Sequence, residues 1–260
     1  MESNSQNNFI KDYGALIIAV IALIQPWLIF FYRLLFRRPR VRLYPSNIIE
    51  VGYNDFGPTI GLYGTLVSLH QNCFIDSIAL LIRREKDKAE HQFNWLIFRS
   101  NQFVFNPNSE FTFEQPSGFI VNTRDAHKYN ILFSDDSHHS EMQPFIQQTE
   151  RQWEEEVSRA AVLSQTPNYD ELYENFLNTD GSMNFYTNIQ RLCYWEVGSY
   201  SVEIKVNTSH PKGKFIFVER FSLTMENVEL LRLNAVLLLA KICNQPNCTF
   251  RFAYPKFKSR

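Results

Sequence analysis

The sequence lacks the short motifs that mark several large enzyme classes. It contains no GxxxxGK[ST], GxGxxG, HExxH or GxSxG. These motifs hold phosphate groups, a catalytic zinc ion or a nucleophilic serine in a fixed geometry. Their absence lowers the expectation of a nucleotide-binding enzyme, a zinc protease or an α/β-hydrolase, and we predict no cofactor. We expect a non-catalytic protein.

An excess of charge of one sign is also missing. The 260 residues include 26 Lys and Arg against 27 Asp and Glu, which gives a net charge of −1. Nucleic-acid-binding domains normally carry a basic excess. We therefore predict no nucleic-acid partner.

Cysteine is scarce and its spacing is uninformative. The four cysteines are Cys73, Cys193, Cys243 and Cys248, and none of them forms a CxxC pair. This is too few for a disulfide framework in a chain of this length, and too dispersed for a structural zinc site. We expect reduced thiols, which agrees with a cytoplasmic domain.

A long uncharged run is present near the start of the chain. Tyr13–Tyr32, YGALIIAVIALIQPWLIFFY, contains no charged residue, and 11 of its residues are Leu, Ile, Val or Phe. Twenty helical residues span roughly 30 Å, the thickness of the hydrocarbon core of a bilayer. The sequence predicts a single transmembrane helix within residues 13–36, with Tyr13, Trp27 and Tyr32 as interfacial anchors. A buried helix of a soluble core is the alternative.

The charges on either side of this run predict its orientation. Only Lys11 is basic on the N-terminal side, in the polar tail of residues 1–12, which we expect to be disordered. The basic residues on the other side are Arg33, Arg37, Arg38, Arg40 and Arg42. Positive charge stays on the cytoplasmic side, so the N-terminus is expected outside and the C-terminal domain in the cytoplasm. Residues 37–46 would form a basic juxtamembrane linker, and the lipid bilayer would be one partner.

Residues 47–260 show the period-2 alternation of a mainly-β domain. A turn at Asn54–Pro58 and a hairpin of Ser199–Asn207 with Lys214–Leu223 are the clearest features. Other strands are expected around Trp95, at 103–105 and at Asn184–Trp195. The pattern resembles an immunoglobulin-like β-sandwich with Trp95 in its core, although the Cys–Trp–Cys spacing of immunoglobulin domains is absent. A helical insertion is expected at about 135–185, and a C-terminal helix at Glu226–Cys243.

The densest polar cluster lies just before the helical insertion. Asp135, Asp136, His138 and His139, followed by Glu141, are the candidate metal ligands, because carboxylates and imidazoles together bind divalent ions. Their consecutive placement favours a solvated loop before a helix, where acidic residues suit the helix N-terminus, so no metal site is predicted.

The sequence leaves three functions open. The first is a membrane-anchored binding or interaction protein with a cytoplasmic β-sandwich domain and an unidentified protein partner. The second is a membrane-anchored metal-dependent enzyme that uses the Asp135–Glu141 loop. The third is a subunit of a membrane assembly, in which the apolar helix contacts other helices.

Overall fold

The computed structural model describes residues 3–36, 40–100, 112–123, 125–163, 168–246 and 248–258. These residues form a nine-stranded antiparallel sheet and six helices. The helices are α1 (Ser3–Phe36), α2 (Asp136–Leu163), α3 (Tyr169–Leu177), α4 (Asp180–Leu192), α5 (Met225–Arg232) and α6 (Asn234–Ile242). The strands are β1 (Arg40–Asn54), β2 (Gly57–Leu69), β3 (Cys73–Arg84), β4 (Glu90–Ser100), β5 (Thr112–Glu114), β6 (Phe119–Val121), β7 (His127–Ser134), β8 (Gly198–His210) and β9 (Lys212–Leu223). The strand expected at 103–105 lies outside the described residues.

The sheet follows one continuous path, β1-β2-β7-β4-β3-β8-β9, with β5 beside β4 and β6 beside β3. The C-terminal segment connects the two ends of this path. Val51 of β1 donates to the Ala253 carbonyl at 2.8 Å, and Lys258 donates to the Arg220 carbonyl of β9 at 2.8 Å. The mainly-β prediction is confirmed, as a near-barrel with added helices. The finer expectation of two facing immunoglobulin-like sheets is not shown, because every strand belongs to a single sheet.

The two features that the sequence predicted most clearly, the turn after β1 and the late hairpin, are found where they were expected. β1 and β2 pair through the turn at Asn54–Gly57, and β8 pairs with β9 from Gly198↔Leu223 to Ser209↔Lys212. In β8 every second residue from Tyr200 to Thr208 is buried, so the alternation of this strand determines which face of the hairpin meets the core.

The tryptophan at the centre of the core is Trp195, not Trp95. Trp195 is fully buried, and its indole nitrogen donates to the Gly52 carbonyl at 3.0 Å. Trp95 lies on the central strand β4 but is only partly buried, against Phe98 and Phe119. Trp195 lies in the short connection between α4 and β8, where no strand alternation marks it.

The strand expected at Asn184–Trp195 is wrong, because most of this segment belongs to α4. The Thr179 hydroxyl accepts from the Ser182 amide at 3.3 Å and caps the helix. Phe185 and Ile189 are four residues apart, so both face the core from one side of the helix. The aromatic content of the segment suggested a strand, but the cap and the four-residue spacing favour a helix. The helical part of the chain therefore ends at Leu192, the last residue of α4, beyond the expected end near 185.

The expected C-terminal helix is present as two helices. α5 ends at Arg232, and α6 begins at Asn234, whose side chain is buried and bound to backbone groups of other segments. The break between the two helices therefore places the Asn234 amide against the Tyr53 and Arg251 carbonyls.

Helix α1 covers the uncharged run and extends to Ser3, so residues 3–12 are helical instead of a disordered tail. Its apolar side chains are exposed, for example Leu16 at 61% and Leu23 at 74%. None of the helices among the described residues combines the length and the apolarity that crossing a membrane requires. The transmembrane prediction is therefore not confirmed.

The residues expected to anchor the chain in the membrane lie partly on α1, partly on β1 and partly outside the described residues. Tyr13, Trp27 and Tyr32 are exposed on α1. Arg33 belongs to α1, and Arg40 is an exposed residue at the start of β1. Arg37 and Arg38 lie outside the described residues. Since β1 already begins at Arg40, most of the expected linker is part of the sheet.

Candidate functional site

The candidate metal centre forms where β4 begins and β7 ends. These strands are antiparallel neighbours, and Asn94 of β4 is the register partner of Ser134 of β7. His91, near the start of β4, therefore lies beside Asp135, which follows β7. His138 joins them from the first turn of α2.

The polar atoms of the three side chains lie close together. Nδ1 of His91 is 3.6 Å from Oδ2 of Asp135, and Nδ1 of His138 is 3.2 Å from the same oxygen. The three candidate ligand atoms lie within 4.8 Å of one another. Among the described residues, this is the one group of three His, Cys, Asp or Glu side chains with that spacing.

Asp135 uses its two carboxylate oxygens for different purposes. Oδ1 accepts from the Ser137 amide at 3.1 Å and from the Ser137 hydroxyl at 2.5 Å, so it caps α2. Oδ2 remains available to the two imidazoles. Burial favours a higher pKa for Asp135, but its contacts with His138, His91 and Ser137 outweigh burial and hold the pKa well below its usual range. Asp135 is therefore a buried carboxylate anion.

Tyr194 holds the two imidazole rings in place. It stacks on His91 with a centroid distance of 3.6 Å and an interplanar angle of 9°, and it meets His138 edge to face at 4.6 Å. Burial, with a smaller contribution from the charge of Asp135, raises the pKa of Tyr194 well above its usual value. Its hydroxyl is therefore a neutral phenol, buried close to the Asp135 carboxylate.

Two of the four sequence candidates are not in this group. Asp136 accepts from the Asn94 side chain at 2.7 Å, and His139 faces the Asp55 carbonyl at 3.2 Å. The expected loop at 134–140 is largely the first turn of α2, so consecutive residues point in different directions around the helix axis. Metal-dependent catalysis by this segment stays a prediction.

Sequence reasoning missed His91 because it is distant in sequence from Asp135. A signal was nevertheless available, since His91 begins one strand and Asp135 ends another. If two strands are antiparallel neighbours, the start of one lies beside the end of the other. The sequence does not reveal that β4 and β7 are neighbours.

A second feature is a cavity of about 760 Å³ at the other end of β7. Its lining comes from six strands and the β5–β6 connection, and combines aromatic rings with polar and charged side chains. The residues are Tyr44, Pro45, Ser46, Tyr63, Gly64, Thr65, Phe98, Arg99, Glu114, Ser117, Phe119, His127, Lys128, Tyr129 and Asn130. A mainly apolar concave surface with few polar groups is the usual form of a ligand pocket.

Arg99 is the most unusual residue of this cavity. Its Nη1 pairs with the Glu50 carboxylate at 3.0 Å, and Glu50 also accepts from the Tyr63 hydroxyl. The Nε and Nη2 atoms of Arg99, the Tyr129 hydroxyl and the side-chain amide oxygen of Asn130 are buried without hydrogen-bond partners among the described residues. These polar atoms lack the contacts that buried groups usually have.

Two glycines of β2 make room for these groups. A Cβ at Gly61 would lie 2.5 Å from Nη2 of Arg99, and one at Gly64 would lie 2.5 Å from the Tyr129 hydroxyl. The close approach at both positions explains why the strand has glycine there.

Comparisons with protein-family models, with curated proteins and with solved structures found no match for this chain.

Proposed function

We propose that the protein is a membrane-anchored, non-catalytic binding protein with its β domain on the cytoplasmic side. The near-barrel has end loops and a cavity that a partner could contact. The immunoglobulin-like sandwich expected from the sequence would offer similar surfaces. The cavity with the unpartnered polar atoms of Arg99, Tyr129 and Asn130 is the observation that carries the proposal. A partner protein would place an apolar group with a hydrogen-bonding atom there.

Anchoring is supported by the surface of α1. The run Tyr13–Tyr32 has no charged residue, and its apolar side chains are exposed, Leu28 at 64% and Phe30 at 54%. Exposed apolar area costs roughly 25 cal/mol per Å² in water, so a contiguous apolar helix surface is stabilised by lipid. The basic residues after the run favour the cytoplasmic orientation.

The anchoring test is extraction of membranes with alkaline carbonate, followed by protease treatment of sealed vesicles. We expect the chain to stay with the membrane and the β domain to be digested only from the cytoplasmic side. Release of the full chain without detergent would contradict anchoring. Digestion from the opposite side would contradict the orientation.

The recognition test is affinity purification of the full chain from detergent-solubilised membranes, with a variant that blocks the cavity. Ser117→Trp places a large ring at an exposed lining position, and Thr187→Trp makes the same change on the exposed face of α4. We expect the captured partner to be lost with Ser117→Trp and retained with Thr187→Trp. Equal capture by both variants would contradict recognition by the cavity.

Membrane assembly is the competing role for α1, and a helix exchange separates the two. If α1 is replaced by an unrelated membrane helix and the same partner is captured, recognition belongs to the β domain. Loss of that partner would instead assign recognition to α1.

A further inference from the structure

We propose that His91, Asp135 and His138 bind one divalent transition-metal ion, with a fourth coordination position left open. This inference goes beyond the binding function proposed above and does not depend on the cavity or on membrane anchoring.

The spacing of the ligand atoms fits an ion of this kind. Bonds of about 2.0–2.2 Å in a tetrahedral site place neighbouring ligand atoms roughly 3.3–3.6 Å apart. The separations from Oδ2 of Asp135 to the ring nitrogens, 3.2 Å for His138 and 3.6 Å for His91, lie close to that range. Small shifts of the rings would complete the geometry.

His138 gives the second, independent observation. Its Nδ1 is buried and has no hydrogen-bond partner among the described residues, although it is only 3.2 Å from the Asp135 oxygen. A proton shared between the two atoms would require a better-aligned contact. The poorly aligned contact leaves Nδ1 of His138 without a hydrogen bond beside the Asp135 oxygen, and a bound cation would contact both atoms.

The surrounding residues hold the ligands in position before an ion arrives. The Ser137 amide and hydroxyl bind Oδ1 of Asp135, which directs Oδ2 towards the imidazoles. Tyr194 packs against both rings. Such outer contacts orient the ligands of metal sites.

The donor set indicates which ions are suitable. Two imidazole nitrogens and one carboxylate oxygen suit Zn²⁺, Fe²⁺, Co²⁺ or Ni²⁺, whereas Mg²⁺ and Ca²⁺ prefer oxygen ligands alone. Three protein ligands leave a position for water or for an external group. The side chains of His91 and His138 are 21% and 17% exposed, so the cluster lies close to the protein surface.

The test measures binding of Zn²⁺ and Co²⁺ to the full chain, purified in detergent with a histidine-free tag and stripped of metal by a chelator. Equilibrium dialysis with elemental analysis gives the zinc stoichiometry, and visible absorption reports the cobalt geometry. We expect about one equivalent of zinc, and cobalt bands typical of four-coordination.

Three variants and one matched control assign the ligands. We expect His91→Ala, His138→Ala and Asp135→Asn each to weaken zinc binding by at least about tenfold. Asp135→Asn keeps the shape and the helix-capping ability of the side chain, so it preserves folding while it removes the anionic ligand. His139→Ala, one residue from His138 but outside the cluster, should bind zinc as the wild type does.

Two outcomes would overturn the proposal. One is wild-type binding well below one equivalent at micromolar zinc, together with a melting temperature that zinc does not raise. The other is unchanged zinc affinity in Asp135→Asn and in both histidine variants.

Discussion

Replacement of Asn234 tests the least expected contact of the fold. β1 and the C-terminal segment pair at Ile48↔Lys256 and Val51↔Ala253, and the same register would pair Tyr53 with Arg251. Asn234 lies between these two residues instead. Its amide donates to the Tyr53 carbonyl at 2.8 Å and to the Arg251 carbonyl at 2.7 Å, and its oxygen accepts from the Arg251 amide at 2.9 Å.

The magnitude follows from these three bonds. Each contributes about 1 kcal/mol net, so Asn234→Ala should lower the free energy of unfolding by about 3 kcal/mol. For a domain of about 200 residues, this corresponds to a decrease in melting temperature of roughly 6–12 °C. Asn234→Asp has the same shape but cannot donate, so it should cost at least as much as Asn234→Ala.

The assay is urea unfolding of the full chain in detergent, followed by tryptophan fluorescence. Asn188→Ala is the matched control, because the Asn188 side chain bonds only within its own helix, to Asn184. We expect that control to change the free energy of unfolding by less than about 0.5 kcal/mol. A loss below about 1 kcal/mol for both Asn234 variants would refute the reasoning.

Three further substitutions or treatments have clear expected outcomes. Burial raises the pKa of Cys243 to about 12, so this thiol should resist alkylation at pH 8. The partly exposed Cys248 should react before Cys243 in a mass-spectrometric time course. Burial lowers the pKa of His127. As the pH falls, the imidazole therefore becomes protonated at a higher pH in the unfolded chain than in the folded chain. The free energy of unfolding should then decrease as the pH drops below about 6.5. His127→Gln should lose less melting temperature than the wild type between pH 7.5 and 5.5, and an equal loss would contradict this origin. Gly64→Ala should destabilise the protein by about 1–3 kcal/mol, because its Cβ would lie 2.4 Å from a backbone oxygen. Gly14→Ala is the control in the same thermal assay and should not destabilise, because no atom lies within 4 Å of its Cβ.

Local patterns predicted the strands better than their partners. The β8–β9 hairpin follows from alternation and a short turn, both of which a few residues determine. The pairing of β3 with β8 joins residues more than a hundred positions apart, such as Ile78 and Val206. No local signal specifies such a pair, because its stability comes from packing that only the complete sheet provides.

The candidate site shows the same limit. Asp135 and His138 could be selected from the sequence because they are close together and chemically suited to a metal. Asp136 and His139 could be excluded only once it was known where α2 begins, because one turn of helix directs four consecutive side chains to different sides. Adding His91 required the β4–β7 pairing.

The metal cluster and the cavity should behave independently. Asp135 follows Tyr129 by six residues along β7, which corresponds to about 20 Å at the rise of an extended strand. Substitutions separated by more than about 10 Å, without shared partners, usually have additive effects. The double variant Asp135→Asn with Ser117→Trp should therefore lose zinc binding and partner capture to the same extent as the two single variants. If zinc removal alone abolished partner capture, the two sites would be coupled through β7, and the cavity could no longer be regarded as a separate recognition surface.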